Sequence, residues 1–200
     1  MPALDLYSAG QVPLLVNTFF EERVQDLFSL AGRVEHAFSA AGLEYRLIGG
    51  LATYLYVEDK EPDAGRLTRD IDIVVRRADL AAIAQAVQSV GLEFRHVAGV
   101  DMLVQAESPS ARRAVHMIFS GEKVQADYPE ATPEIGPVRL VNGIRLAPIE
   151  DLIRMKLNSF RLKDQVHLKD LDEAGAITPE AEMLLSPEQK RRLAQVRASR

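Results

Sequence analysis

The feature that most constrains this chain is a pair of short apolar segments that carry glycines and carboxylates at fixed positions. The first segment ends in Gly49-Gly50, and the second carries Asp70 and Asp72 two residues apart. Side chains alternate between the two faces of a strand, so both aspartates are predicted to point the same way. Adjacent carboxylates repel each other when partly desolvated, and a cation between them relieves the repulsion. Oxygen ligands on a strand suit a hard ion such as Mg²⁺, which recruits substrate phosphates.

The glycine pair and the segment after it extend this prediction. Without a Cβ atom, Gly49 and Gly50 allow a polyanion to approach the backbone, and the N-terminus of a following helix favours negative charge. Residues 51–69 separate the glycines from the aspartates, and the charged part of this spacer, residues 58–65, is predicted to be a loop. The loop is either a lid over the site or solvent-exposed spacing.

Composition bounds the class of protein. A chain of 200 residues with 47% hydrophobic residues supports one domain, with or without a small helical appendage. The net charge of −5 argues against a general nucleic-acid binder, although a local basic patch remains compatible with a nucleotide or an RNA end. The chain has no cysteine, no long apolar run and no signal pattern, which predicts a soluble, cytoplasmic protein with no membrane partner.

The periodicity of apolar residues predicts an α/β (α+β) fold, with a small mixed β-sheet flanked by helices and a helical C-terminal part. Helices are predicted over residues 17–41, 50–57, 79–90 and from 147 onward, with two proline-led helices beginning near 179 and 187. Strands are predicted over residues 44–48, 66–75, 94–104 (straight or bent at Gly99) and 114–119, with a hairpin over 138–140 and 144–146. We expect a core of residues 1–146 and a helical region of residues 147–200 packed on it.

The glycine pair followed by Arg66-x-Thr68-x-Asp70-x-Asp72 resembles the nucleotidyltransferase superfamily, which has the polymerase-beta-like fold. The nearest likeness is to the bacterial nucleotidyltransferase-like proteins of the AbiEii and MenT toxin group. The resemblance implies metal-dependent transfer of a nucleoside monophosphate from an NTP to an acceptor. The implied cofactor is Mg²⁺ or Mn²⁺. The acceptor would be an RNA end such as tRNA, a protein hydroxyl or a small molecule, and a cognate toxin–antitoxin partner is a further expectation.

In relatives of this type, a third carboxylate lies on a neighbouring strand, and His116 occupies that position here. Asp70, Asp72 and His116 are therefore the expected catalytic residues. Imidazole adds no negative charge, which leaves three alternatives. The missing acid is supplied by Asp101, Glu122 or Asp127, the site favours Mn²⁺, or catalysis is weakened. Asp101, with Asp70 and Asp72, completes the expected metal-ligand set. A histidine at this position is alternatively a satisfied interior group.

A second set of matches lies in the C-terminal helices. The segments Leu152-Ile153-x-x-Lys156 and Arg161-x-Lys163-Asp164 resemble helices that superfamily members carry at this place. The resemblance implies a cationic rim that binds the triphosphate, with Asp164 orienting the cations. A solvated helix face with ordinary ion pairs is the alternative. His167 is expected to be solvated.

The complete set of expected phosphate-binding residues is Gly49, Gly50, Arg66, Thr68, Lys156, Arg161 and Lys163. Arg66 is alternatively paired with Asp59, Glu61 or Asp63. A rival hypothesis follows from His116: the chain keeps the fold but only binds a nucleotide or a partner. It predicts nucleotide binding without turnover.

Overall fold

The computed structural model describes residues 11–66, 68–110, 113–141 and 143–199, with side chains from residue 22 onward. The strands are β1 Tyr45–Ile48, β2 Ile71–Val75, β3 Leu92–Val97, β4 Val100–Gln105, β5 Val115–Phe119, β6 Arg139–Val141 and β7 Ile144–Leu146. The helices are α1 Gln11–Ala40, α2 Gly49–Lys60, α3 Leu80–Ala86, α4 Ile149–Ser159, α5 Leu162–Glu173, α6 Pro179–Met183 and α7 Pro187–Ala198. These elements confirm the predicted fold class.

One mixed sheet carries all these strands in the order β3-β4-β5-β2-β1-β7-β6. Strand β2 lies near its centre, antiparallel to β1 and parallel to β5. The central position follows from composition, because Ile71, Ile73 and Val75 are buried while the intervening Asp72 is partly exposed. The strand therefore presents an apolar face to the core and Asp72 to the other face.

The first helix covers the sheet with an apolar stripe at helical spacing. Leu27, Leu30, Val34 and Phe38 are all buried, and they follow one another at intervals of three or four residues. The helix begins at Gln11, earlier than the predicted start at residue 17, and it contacts α3, β7 and the 3₁₀ turn Val87–Val90.

The predicted strand over residues 94–104 is wrong in one respect, because it is a hairpin of β3 and β4. The turn contains Ala98 and Gly99, both with positive φ (50° and 77°), and this reverses the chain. Apolar or small residues occupy positions 97–100 of the turn, so the sequence predicts at most a bend at Gly99 and not a full reversal. The predicted hairpin, formed by β6 and β7, is confirmed, although Asn142 in its turn lies outside the described residues.

The C-terminal helices pack against one another, and α4 and α5 also contact α2. Buried residues of α4, α5 and α7, such as Leu152, Leu168 and Leu193, belong to the same hydrophobic cluster as the sheet. The two proline-led starts are confirmed: the Thr178 and Ser186 side chains cap α6 and α7 by accepting backbone N–H groups. None of the helices in the described part of the chain is long and apolar enough to cross a membrane.

Candidate active site

Three side chains converge where β2 and β5 lie side by side. The register pairs Asp72 with His116, and Asp70 immediately precedes β2. The Nδ1 atom of His116 lies 3.7 Å from Oδ2 of Asp70 and 3.6 Å from Oδ1 of Asp72. One ligand atom from each residue can be chosen so that all three lie within 4.8 Å of one another. All three side chains are partly exposed, so a ligand can reach them from solvent.

Thr68 and the glycine pair hold the aspartates in place. The Thr68 hydroxyl donates to Oδ1 of Asp70 at 3.0 Å. Gly49 has a φ of +71°, and a Cβ atom added there would lie 2.1 Å from Oδ2 of Asp72. A Cβ atom on Gly50 would lie 2.6 Å from the Thr68 hydroxyl. The glycines are therefore required by the packing of the aspartate motif itself, a role that the sequence does not reveal.

Substituting Gly49 by alanine is expected to displace Asp72 and to lower the free energy of unfolding. A non-glycine residue in the left-handed region costs about 1–2 kcal/mol, and the overlap with the Asp72 carboxylate adds to this cost. The matched control is Gly42→Ala, because Gly42 has a φ of +66° and nothing within 4 Å of an added Cβ atom. Chemical denaturation gives the free energy of unfolding of both variants, and the difference between them isolates the cost of the overlap with Asp72. Equal destabilisation in the two would contradict the proposed contact with Asp72.

A cavity of about 370 Å³ opens over the three side chains. Its walls bring the β2–β5 cluster together with the first residues of α5 and the end of α4. The expected site residues that line it are Gly49, Asp70, Asp72, His116, Lys156, Arg161 and Lys163, together with Asp164. One wall is acidic and the opposite wall is cationic, an arrangement that suits a metal ion bound to a phosphate chain.

Lys156 is the buried cation of this wall, with only 4% of its surface exposed. Its Nζ atom lies 2.8 Å from Nδ1 of His167 and 4.0 Å from Oδ1 of Asp164. Burial lowers the pKa of Lys156 to about 8, while Asp164 and Asp72 oppose this shift. An ammonium group that is held inside the wall and poorly solvated has much to gain from an added phosphate.

Asp164 organises the cationic wall from within. Its buried carboxylate accepts hydrogen bonds from Nε of Arg161 at 2.7 Å and from the Ser159 hydroxyl at 2.8 Å. Although burial acts to raise the pKa of Asp164, these hydrogen bonds and the charge of Lys156 hold it below its usual range. Asp164 is thus an ionised anchor that fixes Arg161 and balances Lys156.

Several solved structures have a fold similar to that of this chain. A nucleotidyltransferase-like protein from Paracoccidioides brasiliensis has a TM-score of 0.58 and 17% identity, covering 88% of this chain and 89% of that one. The antibiotic-resistance factor ANT(2'')-Ia has a TM-score of 0.53 and 13% identity, covering 88% and 93%. The Megavirus polyadenylate synthase has a TM-score of 0.51 and 10% identity, covering 89% and 40%. The chain has a nucleotidyltransferase fold. No protein family and no curated protein matches the sequence.

The nucleotidyltransferase fold confirms the resemblance inferred from the aspartate motif at the level of the fold. The finer likeness to AbiEii and MenT proteins stays a prediction. Four expected site residues do not line the cavity: Gly50, Arg66, Thr68 and Asp101. His167, which was expected to be solvated, does not line it either but contacts Lys156 of its wall.

Arg66 does not reach the cavity. Its Nε atom lies 3.0 and 2.9 Å from the two carboxylate oxygens of Asp170 on α5, and 67% of its side chain is exposed. Neither the phosphate clamp nor a pair with the acids of residues 59–63 is therefore seen. The contact spans 104 positions of the chain, and local sequence gives no signal of it.

Asp101 lies on the other face of the sheet from the cluster. On β4 it pairs with Met117, whereas His116 pairs with Met102, and neighbouring residues of a strand point to opposite faces. Its carboxylate lies 2.7 Å from Nδ1 of His96. This corrects the expectation that Asp101 supplies the third acid. Glu122 is paired with Arg77 at 2.6 Å, and neither it nor Asp127 belongs to the described cluster.

His167 was expected to be solvated, and this expectation is wrong. The side chain is partly buried beside Lys156, and burial together with the Lys156 charge lowers the pKa of His167 to about 4. At neutral pH the ring is uncharged, so its Nδ1 atom accepts a hydrogen bond from the Lys156 ammonium. The two residues lie on successive helices, and their pairing depends on the angle between α4 and α5.

Proposed function

We propose that the protein transfers a nucleoside monophosphate from an NTP to an acceptor hydroxyl in a reaction that requires a divalent metal ion. One observation carries the proposal: the Asp70, Asp72 and His116 cluster faces the Lys156 and Arg161 wall across a single cavity. The acidic cluster supplies ligands for the metal, and the cationic wall supplies charge for the phosphates. Both are required before a triphosphate can be held with its α-phosphate near an acceptor.

The donor set fits a divalent metal ion. Asp70, Asp72 and His116 offer two carboxylates and one ring nitrogen within a sphere suited to one ion, and Gly49 leaves the space into which the Asp72 carboxylate projects. When bound, the ion neutralises phosphate charge and lowers the barrier to attack by a hydroxyl. The expected ions are Mg²⁺ and Mn²⁺, and the nitrogen ligand favours Mn²⁺ over Mg²⁺.

The remaining residues bind and orient the donor. Lys156, Arg161 and Lys163 hold oxygens of the triphosphate, and the N-terminus of α2 at Gly49 and Gly50 faces its negative charge. The acceptor oxygen forms a bond to the α-phosphorus, pyrophosphate leaves from the opposite side, and the acceptor proton passes to solvent. ANT(2'')-Ia, whose fold is similar, has been solved in complex with adenylyl-2''-tobramycin, a small molecule that carries the adenylyl group. This supports the same class of reaction here.

The test is transfer of label from each α-³²P-labelled NTP in the presence of Mg²⁺, Mn²⁺ or EDTA, with total RNA and cell lysate as acceptor pools. Label on an acceptor that depends on metal and disappears in Asp70→Ala/Asp72→Ala supports the proposal and identifies the acceptor class. Absence of label with every NTP and metal, from protein whose fold is verified by circular dichroism, overturns it.

NTP affinity is expected to fall as pH rises through about 8. Burial lowers the pKa of Lys156 to about 8 in the free protein, and bound phosphate favours the ammonium form, so the bound pKa is higher. The contribution of Lys156 is therefore complete below pH 8 and declines above it. Calorimetry between pH 7 and pH 9 measures this, these pH values being about one unit on either side of the shifted value.

The control for this pH dependence is Lys156→Met, which removes a buried charge at nearly constant volume. We expect at least about tenfold weaker NTP binding at neutral pH, equivalent to one charged hydrogen bond, and no further loss at alkaline pH. Thermal unfolding verifies that the variant is folded. A variant that keeps the alkaline loss of affinity would assign the titration to another group.

A second function is favoured by His116 in place of an acid. A non-catalytic nucleotide-binding protein would keep the nucleotide site and the metal ligands but fail to reach the transition state. It predicts metal-dependent NTP binding of the wild-type protein without label transfer to any acceptor pool. Binding and transfer measured on the same preparation therefore separate the two functions.

The AbiEii and MenT likeness adds a partner to the proposal. It predicts a toxin-like transferase that a cognate antitoxin binds. Co-expression with the products of neighbouring genes, followed by gel filtration, tests this prediction. Elution as an unchanged single species with every neighbour contradicts it and leaves the transferase proposal intact.

A further inference from the structure

The segment that leads into the two aspartates is fixed to the helices beside it. We call residues 65, 66 and 68–70 the strap. The Gly65 N–H donates to Oε1 of Glu58 on α2 at 2.8 Å, and a Cβ atom added to Gly65 would lie 2.6 Å from Cδ2 of Tyr54. The strap therefore begins in close contact with α2, and its next residue, Arg66, reaches α5.

Arg66 joins the strap to α5 through Asp170. Its Nε atom donates to both carboxylate oxygens of Asp170, at 3.0 and 2.9 Å. The two side chains differ in their surroundings, because 67% of the Arg66 side chain is exposed but only 9% of the Asp170 side chain. Among the described residues, no other side chain forms an ion pair or a hydrogen bond with this carboxylate. An exposed ion pair contributes little to stability, but Asp170 is left as an uncompensated charge when the guanidinium is removed.

The helix that carries Asp170 also carries the cationic wall of the cavity. It is continuous from Leu162 to Glu173, and Arg161 is its N-terminal cap. Asp164, which anchors Arg161, lies six residues before Asp170, and this separation corresponds to about 9 Å along the helix axis. Because α5 is one continuous helix, a shift of α5 against the strap also moves the cationic wall.

The strap connects this contact to the metal cluster. Two residues after Arg66, the Thr68 hydroxyl donates to Oδ1 of Asp70 at 3.0 Å. Thr68 itself is packed closely, because a Cβ atom added to Gly50 would lie 2.6 Å from its hydroxyl oxygen. The contacts of Arg66 and Thr68 therefore link α5 to the acidic side of the cavity by a route outside it, since neither Arg66 nor Asp170 lines the cavity.

We propose that Arg66 and Asp170 are positioning residues whose ion pair fixes the distance between the acidic cluster and the cationic wall. The inference rests on the proposed nucleotidyl transfer. A phosphate chain contacts both sides at once only when that distance is held, and a displacement of about 1 Å far from the reacting atoms can slow a reaction strongly. The pair is expected to act on kcat and on metal affinity. The KM for the NTP should change less, because Lys156 and Arg161 keep their own partners.

The test measures thermal unfolding, Mn²⁺ binding by calorimetry and label transfer from an α-³²P-labelled NTP on the full chain. Arg66→Ala is expected to unfold at a lower temperature, because it leaves Asp170 unpaired. Arg66→Ala/Asp170→Asn removes both charges, so its unfolding temperature should recover while kcat stays at least about tenfold below that of the wild type and Mn²⁺ binding stays weaker. Arg66→Lys keeps a charged donor and is expected to transfer label faster than the double variant.

The matched control is Arg197→Ala/Asp172→Asn. Asp172 lies on the same helix but pairs with Arg197 on α7, at 2.6 Å, and not with the strap. We expect this variant to bind Mn²⁺ and to transfer label as the wild type does, even if it unfolds at a lower temperature. Equal loss of transfer in both double variants would show only that α5 is weakened, and it would overturn the positioning role.

Two further results overturn the proposal. One is wild-type kcat and Mn²⁺ affinity in Arg66→Ala/Asp170→Asn, and the other is a raised KM with unchanged kcat, since Arg66 would then bind the NTP itself. A wild-type protein that binds Mn²⁺ but transfers no label refutes the proposed transfer, and the Mn²⁺ affinities of the variants then decide the positioning role. A wild-type protein that neither binds Mn²⁺ nor transfers label overturns both.

Discussion

Replacing Asp70 and Asp72 together by asparagine is expected to abolish nucleotidyl transfer while the protein stays folded. The amides keep the size of the carboxylates but remove the charge that attracts a divalent ion to this cluster. If the ion supplies about 4 kcal/mol of transition-state stabilisation, its loss slows transfer about a thousandfold. The measurement is the rate of label transfer at saturating Mn²⁺, with metal-dependent NTP binding followed by calorimetry.

The stability of this double variant is a separate readout. Among the residues that the structure describes, only the His116 ring offers a balancing cation at ion-pair distance from the two carboxylates. Relief of their repulsion is expected to leave the unfolding temperature unchanged or to raise it in the absence of metal. Metal should stabilise the wild-type protein and not the variant, since a ligand that binds the folded state shifts its unfolding.

The matched control is Asp101→Asn, which removes an acid of the same type from the opposite face of the sheet. We expect transfer and metal binding at wild-type levels in this variant. A loss as large as that of the double variant would mean that Asp101 joins the site after all. Retention of transfer by Asp70→Asn/Asp72→Asn would refute the metal role of the cluster.

The sequence predicts the fold because its strongest patterns are local. The apolar stripe of α1, the alternation of β2 and the proline-led caps at Thr178 and Ser186 depend on spacing over a few residues, and the structure confirms each of them. The aspartate pair is also predictable from local spacing, because residues two positions apart on a strand point to the same face. Its neighbour His116 was found by its place on an adjoining strand.

The contacts that sequence could not predict depend on how distant elements meet. Lys156 and His167 approach only because α4 and α5 are joined at Phe160, whose φ of +48° is unusual for a non-glycine residue. Arg66 contacts Asp170, which lies 104 positions later in the chain. Asp101 was expected to reach the cluster from an adjacent strand, but the chain reverses at Ala98 and Gly99, where the sequence predicted at most a bend, and Asp101 lies on the other face of the sheet.

A cavity of about 740 Å³ lined by Arg23, Arg33, Arg69 and Arg113 could not be predicted from the sequence for the same reason. Its arginines come from α1, from the segment before β2 and from the segment before β5, which are far apart in the sequence. An overall charge of −5 conceals this local excess of arginine. The net charge therefore describes the average surface and not the charge of one concave region of it.

Replacing His116 by aspartate is expected to raise Mg²⁺-supported transfer at least tenfold. The register places residue 116 directly beside Asp72, so the new carboxylate joins the two acids at the same cluster. A unit charge about 4 Å from another contributes up to about 4 kcal/mol at an effective dielectric constant of 20, and tenfold requires about 1.4 kcal/mol of this. The preference of the wild-type protein for Mn²⁺ over Mg²⁺ should disappear, because an all-oxygen site suits Mg²⁺.

The carboxylate that His116→Asp adds is expected to strengthen metal binding but to destabilise the folded protein when no metal is bound. Three carboxylates in contact repel one another, so His116→Asp is expected to unfold at a lower temperature in EDTA and to recover when Mg²⁺ is added. The variant His116→Asn supplies an oxygen ligand without the charge, and it should show neither the loss in EDTA nor the gain in transfer. If His116→Asp is instead slower with both ions, the imidazole itself takes part in the reaction, and the site is adapted to histidine rather than weakened by it.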